Sequence, residues 1–225
     1  MSTSKDSPAP VEEIIRPNEK EMRLARQVMK TFVEGAATGD AERMLAAVTD
    51  KLDELDFGTM YGAGWLGALR AIGKLGSVPA RTQKFFLRLY IKWGDHIRQE
   101  TGEDVALIRG LRVLLPRYDG PSVCLYRGQN ALKVRSRLYG LSWSASRKVA
   151  EGHAQGLWQT TCPDGTVLLQ TIAPPEAIIC RVPNVEDRYD EKEYLVDRRR
   201  LRRVIRLATY PFRPRGAPRA SSDLK

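Results

Sequence analysis

The stretch "PRYDGPSVCLYRGQ", residues 116–129, is where one periodicity stops and another begins. Its first seven residues are crowded with Pro, Gly and Asp, which interrupt regular structure and mark a boundary. Its second part is a short apolar run, Val123–Tyr126, closed by Arg127 and Gly128. Upstream, apolar residues recur at helical spacing. Downstream, they come in short runs of strand type. The stretch therefore predicts an α+β chain, with a helical N-terminal half followed by a compact, mostly β half.

Working upstream, Met22, Ala25, Val28, Met29, Phe32 and Val33 fall near a 3.6-residue spacing and predict a helix over 19–35. Met44, Leu45, Val48, Leu52 and Leu55 predict a second over 41–55. Over 79–99, Phe86, Leu89, Trp93 and Ile97 form one stripe, and Pro79 suits a helix start. A further helix is expected over 104–115. These stripes read as core faces. "GAGWLG", 62–67, has the G-x-G-x-x-G spacing of a dinucleotide fold. It lacks the apolar strand before it and the acidic residue about 20 positions on that the fingerprint requires. It is expected to be a helix–helix connection.

Working downstream, strands are expected at Val123–Tyr126, Leu141–Trp143, Thr166–Ile172, Ala177–Val182, Tyr194–Val196 and Val204–Ala208, with one helix at about 146–155. The organisation read from this is a disordered segment 1–17, a helical region 18–118, a β core 119–210 and a basic flexible tail 211–225.

The chain has 225 residues, 42% of them hydrophobic, enough for one substantial core. Its formal net charge is +10 and its pI about 9.7, which favours acidic partners without choosing among them. Residues 198–225 hold ten Arg/Lys and one acid, Asp223. "DRRRLRRVIR", 197–206, reads either as a final strand with solvated arginines or as a handle for nucleic acid, an acidic target or an anionic surface. No apolar run is long enough for a membrane span. The start, MSTSKDSPAP, has no apolar signal core, though such a polar start also suits a non-cleaved secretion signal. Cys124, Cys162 and Cys180 match no metal spacing and read as buried free thiols in a reducing compartment. His96 and His153 have no ligand cluster at metal spacing, so no metal is expected. No G-x-S-x-G elbow anchors a hydrolase triad.

Three pieces of the β half carry chemistry. Arg127 ends an apolar strand, where a guanidinium needs an anionic partner or a structural ion pair. In "GLSWSAS", 140–146, Ser142 and Ser144 alternate to one face with Trp143 on the other, and a serine caps the helix that follows. In "EKEYLVD", 191–197, Glu191 and Glu193 share one side if the backbone is extended, either as a solvated acidic edge or as a catalytic pair.

In this order the pieces resemble the R-S-E class of mono-ADP-ribosyltransferases, the cholera-toxin-like group. They are most similar to small bacterial and phage-associated members. The resemblance covers about residues 120–208 and implies a split β-sheet core, NAD as co-substrate, and transfer to a macromolecule with protein arginine the favoured acceptor. By the same resemblance Glu193 is the catalytic glutamate and Glu191 its upstream partner at the acceptor. Arg127, with Gly128, contacts the NAD phosphates or ribose. Ser142, Trp143 and Ser144 form the serine strand of the nicotinamide pocket. Trp158 flanks nicotinamide, and Tyr189 lies in the target-recognition loop. The Arg127–Ser142 spacing is short, without the helices larger members insert there. The reading expects Arg127, Ser142 and Glu193 to converge in one dinucleotide-sized cleft. It also expects a cytoplasmic protein, or one delivered into a target cell as an effector or toxin. An NAD glycohydrolase and a non-catalytic basic binding module are the alternatives.

Overall fold

A computed structural model describes residues 19–49, 62–156, 160–183 and 191–214. Five helices come first: α1 Glu19–Thr38, α2 Ala41–Thr49, α3 Gly62–Ile72, α4 Ala80–Thr101 and α5 Asp104–Leu114. β1 Val123–Asn130, α6 Ala131–Arg135, β2 Ser142–Ser144, α7 Arg147–Gln155, β3 Thr166–Ala173, β4 Ile178–Arg181, β5 Glu193–Val196 and β6 Val204–Tyr210 follow. The architecture is α+β, with most helices N-terminal. The period change at 116–122 falls where expected, in the segment between α5 and β1.

Local chemistry sets these ends. Asp40 accepts a hydrogen bond from the Arg43 backbone N–H at 2.9 Å and caps α2. Pro79 starts α4, and Gly102, at φ 64°, ends it in the left-handed region that glycine enters without a side-chain clash. Ser146 caps α7 by accepting from the Val149 N–H at 3.4 Å.

Several expectations are corrected. "GAGWLG" is not a connection but the start of α3. A Cβ at Gly64 would lie 2.5 Å from the Met29 side chain, so the glycine lets α3 lie close against α1. Burial of Trp65, Ala68, Leu69 and Ile72 outweighs the weak helix propensity of glycine. On α4 the buried residues are Thr82, Phe86, Leu87, Tyr90, Ile97 and Thr101, whereas Trp93 is exposed. The wider face, not the expected narrow stripe, meets the core. Leu45 is exposed as well, and the expected second half of α2 lies outside the described residues. Cys124 is exposed rather than buried, because its position on β1 alternates away from Leu125, which is in the core. The short helix α6 was not foreseen.

The six strands form one antiparallel sheet in the order β4-β5-β2-β1-β3-β6. One core cluster joins the helices, through Phe32, Leu69, Phe86 and Leu111, to Leu141, Ile179, Cys180 and Leu195 of the sheet. The second joins Leu125, Trp143, Leu169, Tyr194 and Val196. Neighbours on β5 thus serve opposite cores. A register shift between Ile178 and Cys180 turns both Ile179 and Cys180 into the helical cluster.

Candidate functional site

The strand order sets the three motif strands side by side, as β5-β2-β1. Ser142 pairs with Leu195, Trp143 with Tyr194, and Ser144 with Glu193. Ser142, Ser144 and Glu193 therefore share one face of the sheet, and Trp143 takes the other. Trp143 is 1% exposed, and its indole N–H donates to the Gly140 carbonyl at 3.1 Å. From inside the core it holds Gly140 in place.

Tyr126 is the register partner of Ser144, so alternation starts Arg127 on the Trp143 face, opposite Ser144 and Glu193. The three expected side chains do not spring from one face. Two other features join them. The Arg127 Nη1 donates to the Ser142 carbonyl oxygen, which ties the guanidinium to the serine strand. The charge of Glu193 is also felt at Arg127. Arg127 Nε donates at 2.7 Å to Gln129 Oε1, which also accepts from the Gly140 N–H at 3.3 Å. Gly140 is required here: a Cβ on it would collide with the guanidinium.

Burial pushes the Arg127 guanidinium down to about 10; Asp95 opposes the shift, Arg98 adds to it and Glu193 opposes it. It remains charged at neutral pH. Burial pushes the Cys180 thiol up to about 12, with the Glu193 charge adding to it. The Tyr90 phenol is raised above its ordinary value by burial, against Arg98 and with Asp95, Glu193 and Asp104. The helix α4 thus supplies Tyr90, Asp95 and Arg98 to the electrostatic surroundings of Arg127 and Glu193. Arg98 also donates to the Tyr139 carbonyl at 3.3 Å, which links α4 to the segment entering β2.

The acidic pair is not one extended stretch. Lys192 has φ 50°, so Glu191 is turned out of line with Glu193. This corrects the expectation that both face the same way. The turn is pinned on both sides. The Ser144 hydroxyl donates to the Glu191 carbonyl at 2.5 Å, the Ala145 N–H donates to the Lys192 carbonyl at 3.0 Å, and the Val182 N–H donates to the Glu193 carbonyl at 3.0 Å. Ser144 is therefore a brace for the Glu191–Glu193 turn, and its oxygen accepts the Ser146 N–H at 2.9 Å as well. The Glu191 carboxylate, through Oε1, stands 3.4 Å from His153 Nε2 on α7.

Gly128 serves packing. A Cβ there would lie 2.6 Å from both the Ala150 carbonyl and the Ala154 amide, so its absence seats α7 directly on β1. Trp158 and Tyr189 lie outside the described residues. Gln129, Gly140, His153 and the α4 group were not foreseen as site residues. The side-chain spacing of Arg127 and Gln129 at i and i+2 on one strand was a signal for the first. Nothing local signalled the α4 group, whose proximity comes from packing across some 30 residues of intervening chain or more.

Among the described residues, no group of three or more His, Cys, Asp or Glu is arranged to hold a metal. No described helix is long and apolar enough to cross a membrane. What the arrangement offers is a carboxylate at a strand mouth, a second carboxylate beside an imidazole, and a partly buried, charged guanidinium fixed to the strand between them. Comparison with known proteins finds no matching family model, no matching curated protein and no matching solved structure.

Proposed function

We propose that the chain is an NAD-dependent mono-ADP-ribosyltransferase with an ADP-ribosyltransferase-like sheet core, and that its favoured acceptor is a protein arginine. The observation that carries this reading is the adjacency of β1, β2 and β5, with Ser144 opposite Glu193 and Arg127 bonded to the Ser142 carbonyl. Three motifs separated by up to 66 positions in the chain, from Arg127 to Glu193, come to neighbouring strands.

The chemistry suits these residues. Breaking the bond between the NAD ribose C1′ and the nicotinamide nitrogen sends the bonding electrons to nicotinamide and leaves positive charge on the sugar. The ionised Glu193 stabilises that charge as it develops. Arg127, whose Nε and Nη1 are already bonded to Gln129 and the Ser142 carbonyl, lends its positive charge to the pyrophosphate and holds the serine strand in position beside the scissile bond. The acceptor nitrogen then bonds to C1′ and releases its proton, for which the Glu191 carboxylate is the nearby base.

A second reading, NAD glycohydrolase, is favoured by the contact between Glu191 and His153. That pair suits a water molecule as well as a guanidinium. Incubation of the purified protein with NAD labelled in the adenylate part, with and without a cell lysate, tests both. Label on protein supports transfer, and nicotinamide release without labelled protein supports hydrolysis. Absence of both, with Glu193→Gln indistinguishable from the parent chain, overturns the enzymatic reading.

A further inference from the structure

β6 ends the sheet, and among the described residues its only strand neighbour is β3. An edge strand presents a row of backbone N–H and C=O groups to whatever adds beside it. Most edge strands of monomeric proteins are short or polar. This one spans seven residues and exposes Ile205 and Leu207, each 36%, and Phe212 just beyond it is 41% exposed. Around these lie the exposed Arg202, Arg203 and Arg206. Residues 198–206 hold six arginines and no acid. Ile205 pairs with Gln170 and Arg206 with Leu169, so these two side chains project from opposite faces; a register shift then sets Ala208 against Leu168 and leaves Leu207 in a bulge between them.

We propose that the outer edge of β6 docks an extended acidic segment of a partner protein, which adds as a further strand. Three arguments select this occupant. The edge offers donors and acceptors in alternation, and another peptide backbone satisfies both, whereas a phosphodiester chain carries acceptors only. Ile205, Leu207 and Phe212 call for apolar side chains alternating with the acids. A second copy of this chain is disfavoured, because β6 against β6 brings together the Arg206 side chains of two chains that each carry a net charge of +10, and like charges across a strand pair destabilise it. The inference does not rest on NAD chemistry, since docking needs neither Glu193 nor Arg127.

The test uses the full chain without NAD and a short labelled peptide of alternating aspartate and valine. Fluorescence anisotropy should show binding that weakens about tenfold as salt shortens the Debye length from about 30 to 10 Å. Amide exchange across residues 204–210 should slow when the peptide is bound. The triple charge reversal R202E/R203E/R206E should lose binding by at least the same factor, with its far-ultraviolet dichroism and melting unchanged. Ile205→Ser, which removes apolar surface at an exposed position without changing charge, gives an independent variant that should weaken binding without unfolding the chain. Equal binding of a block peptide of the same composition would overturn the proposal. So would tighter binding of oligothymidylate or of phosphatidylserine vesicles, self-association of the free chain, or unchanged exchange in 204–210.

Discussion

Glu193 opens β5 opposite Ser144, and Arg127 reaches the next strand through the Ser142 carbonyl. If Glu193 stabilises the sugar cation, Glu193→Gln keeps size and loses charge. It should lower kcat for nicotinamide release by a few hundredfold, on the order of 3 kcal/mol, with the fold intact by dichroism. Glu191 is turned away from Glu193 and sits against His153. Glu191→Ala should therefore depress transfer to protein more than hydrolysis of NAD, read as the ratio of labelled protein to free nicotinamide. A parallel fall in both would remove Glu191 from acceptor chemistry. Gly140 decides where the Arg127 guanidinium lies. Gly140→Ala should raise KM for NAD, with a smaller change in the urea midpoint.

At the scale of elements, the seating of α7 on β1 depends on one missing methyl group. Gly128→Ala would meet backbone atoms of α7 at 2.6 Å, and a backbone contact cannot yield by rotating a side chain. It should cost about 1–3 kcal/mol in urea unfolding, typical of overpacking. The turn after β5 depends on Asp197, which is 1% exposed. It takes two bonds from the Arg199 guanidinium, at 2.9 and 3.0 Å, and stands 3.7 Å from Arg112 on α5 and 3.6 Å from Arg200. Burial raises this carboxyl, but the side-chain and backbone hydrogen bonds from Arg199 and the charges of Arg199 and Arg112 together hold it below its ordinary value. A depressed carboxylate adds stability above its unfolded pKa of about 4 and loses it as pH falls through the folded value. Asp197→Asn should lower stability at neutral pH by roughly 3 kcal/mol, the lower end for breaking a buried pair, since the arginines stay half in water. It should also flatten the acid limb of the stability profile measured between about pH 5 and 2.

At the scale of the molecule, the helical half and the sheet share one core. Leu141, Ile179, Cys180, Val182 and Leu195 pack in the same cluster as Phe86, Leu107 and Leu111. A fragment covering only residues 119–225 would expose that apolar face to water. It should be insoluble or lack cooperative unfolding by dichroism, whereas the full chain unfolds in one transition. The helices also lend their charges to the site, through Asp95 and Arg98. Removing them would therefore alter the surroundings of Arg127 as well as the stability.

Much of this was legible in residue order alone. The switch from helical to strand periodicity at 116–122, all six strands and the capped α7 follow from local pattern, because burial on one face imprints a period of 3.6 or 2 on the chain. The Arg, Ser-x-Ser and Glu-x-Glu pieces were visible for the same reason: each is local. Tertiary structure alone decided that "GAGWLG" is helix, since only the contact with Met29 and Ala25 gives Gly64 a reason to be there. It also decided that Lys192 turns Glu191 out of line, that Arg127 starts from the face opposite Glu193, and that α4 stands beside them both. Strand pairing and helix docking join residues far apart in the chain, and no local spacing records which distant neighbour a side chain will meet.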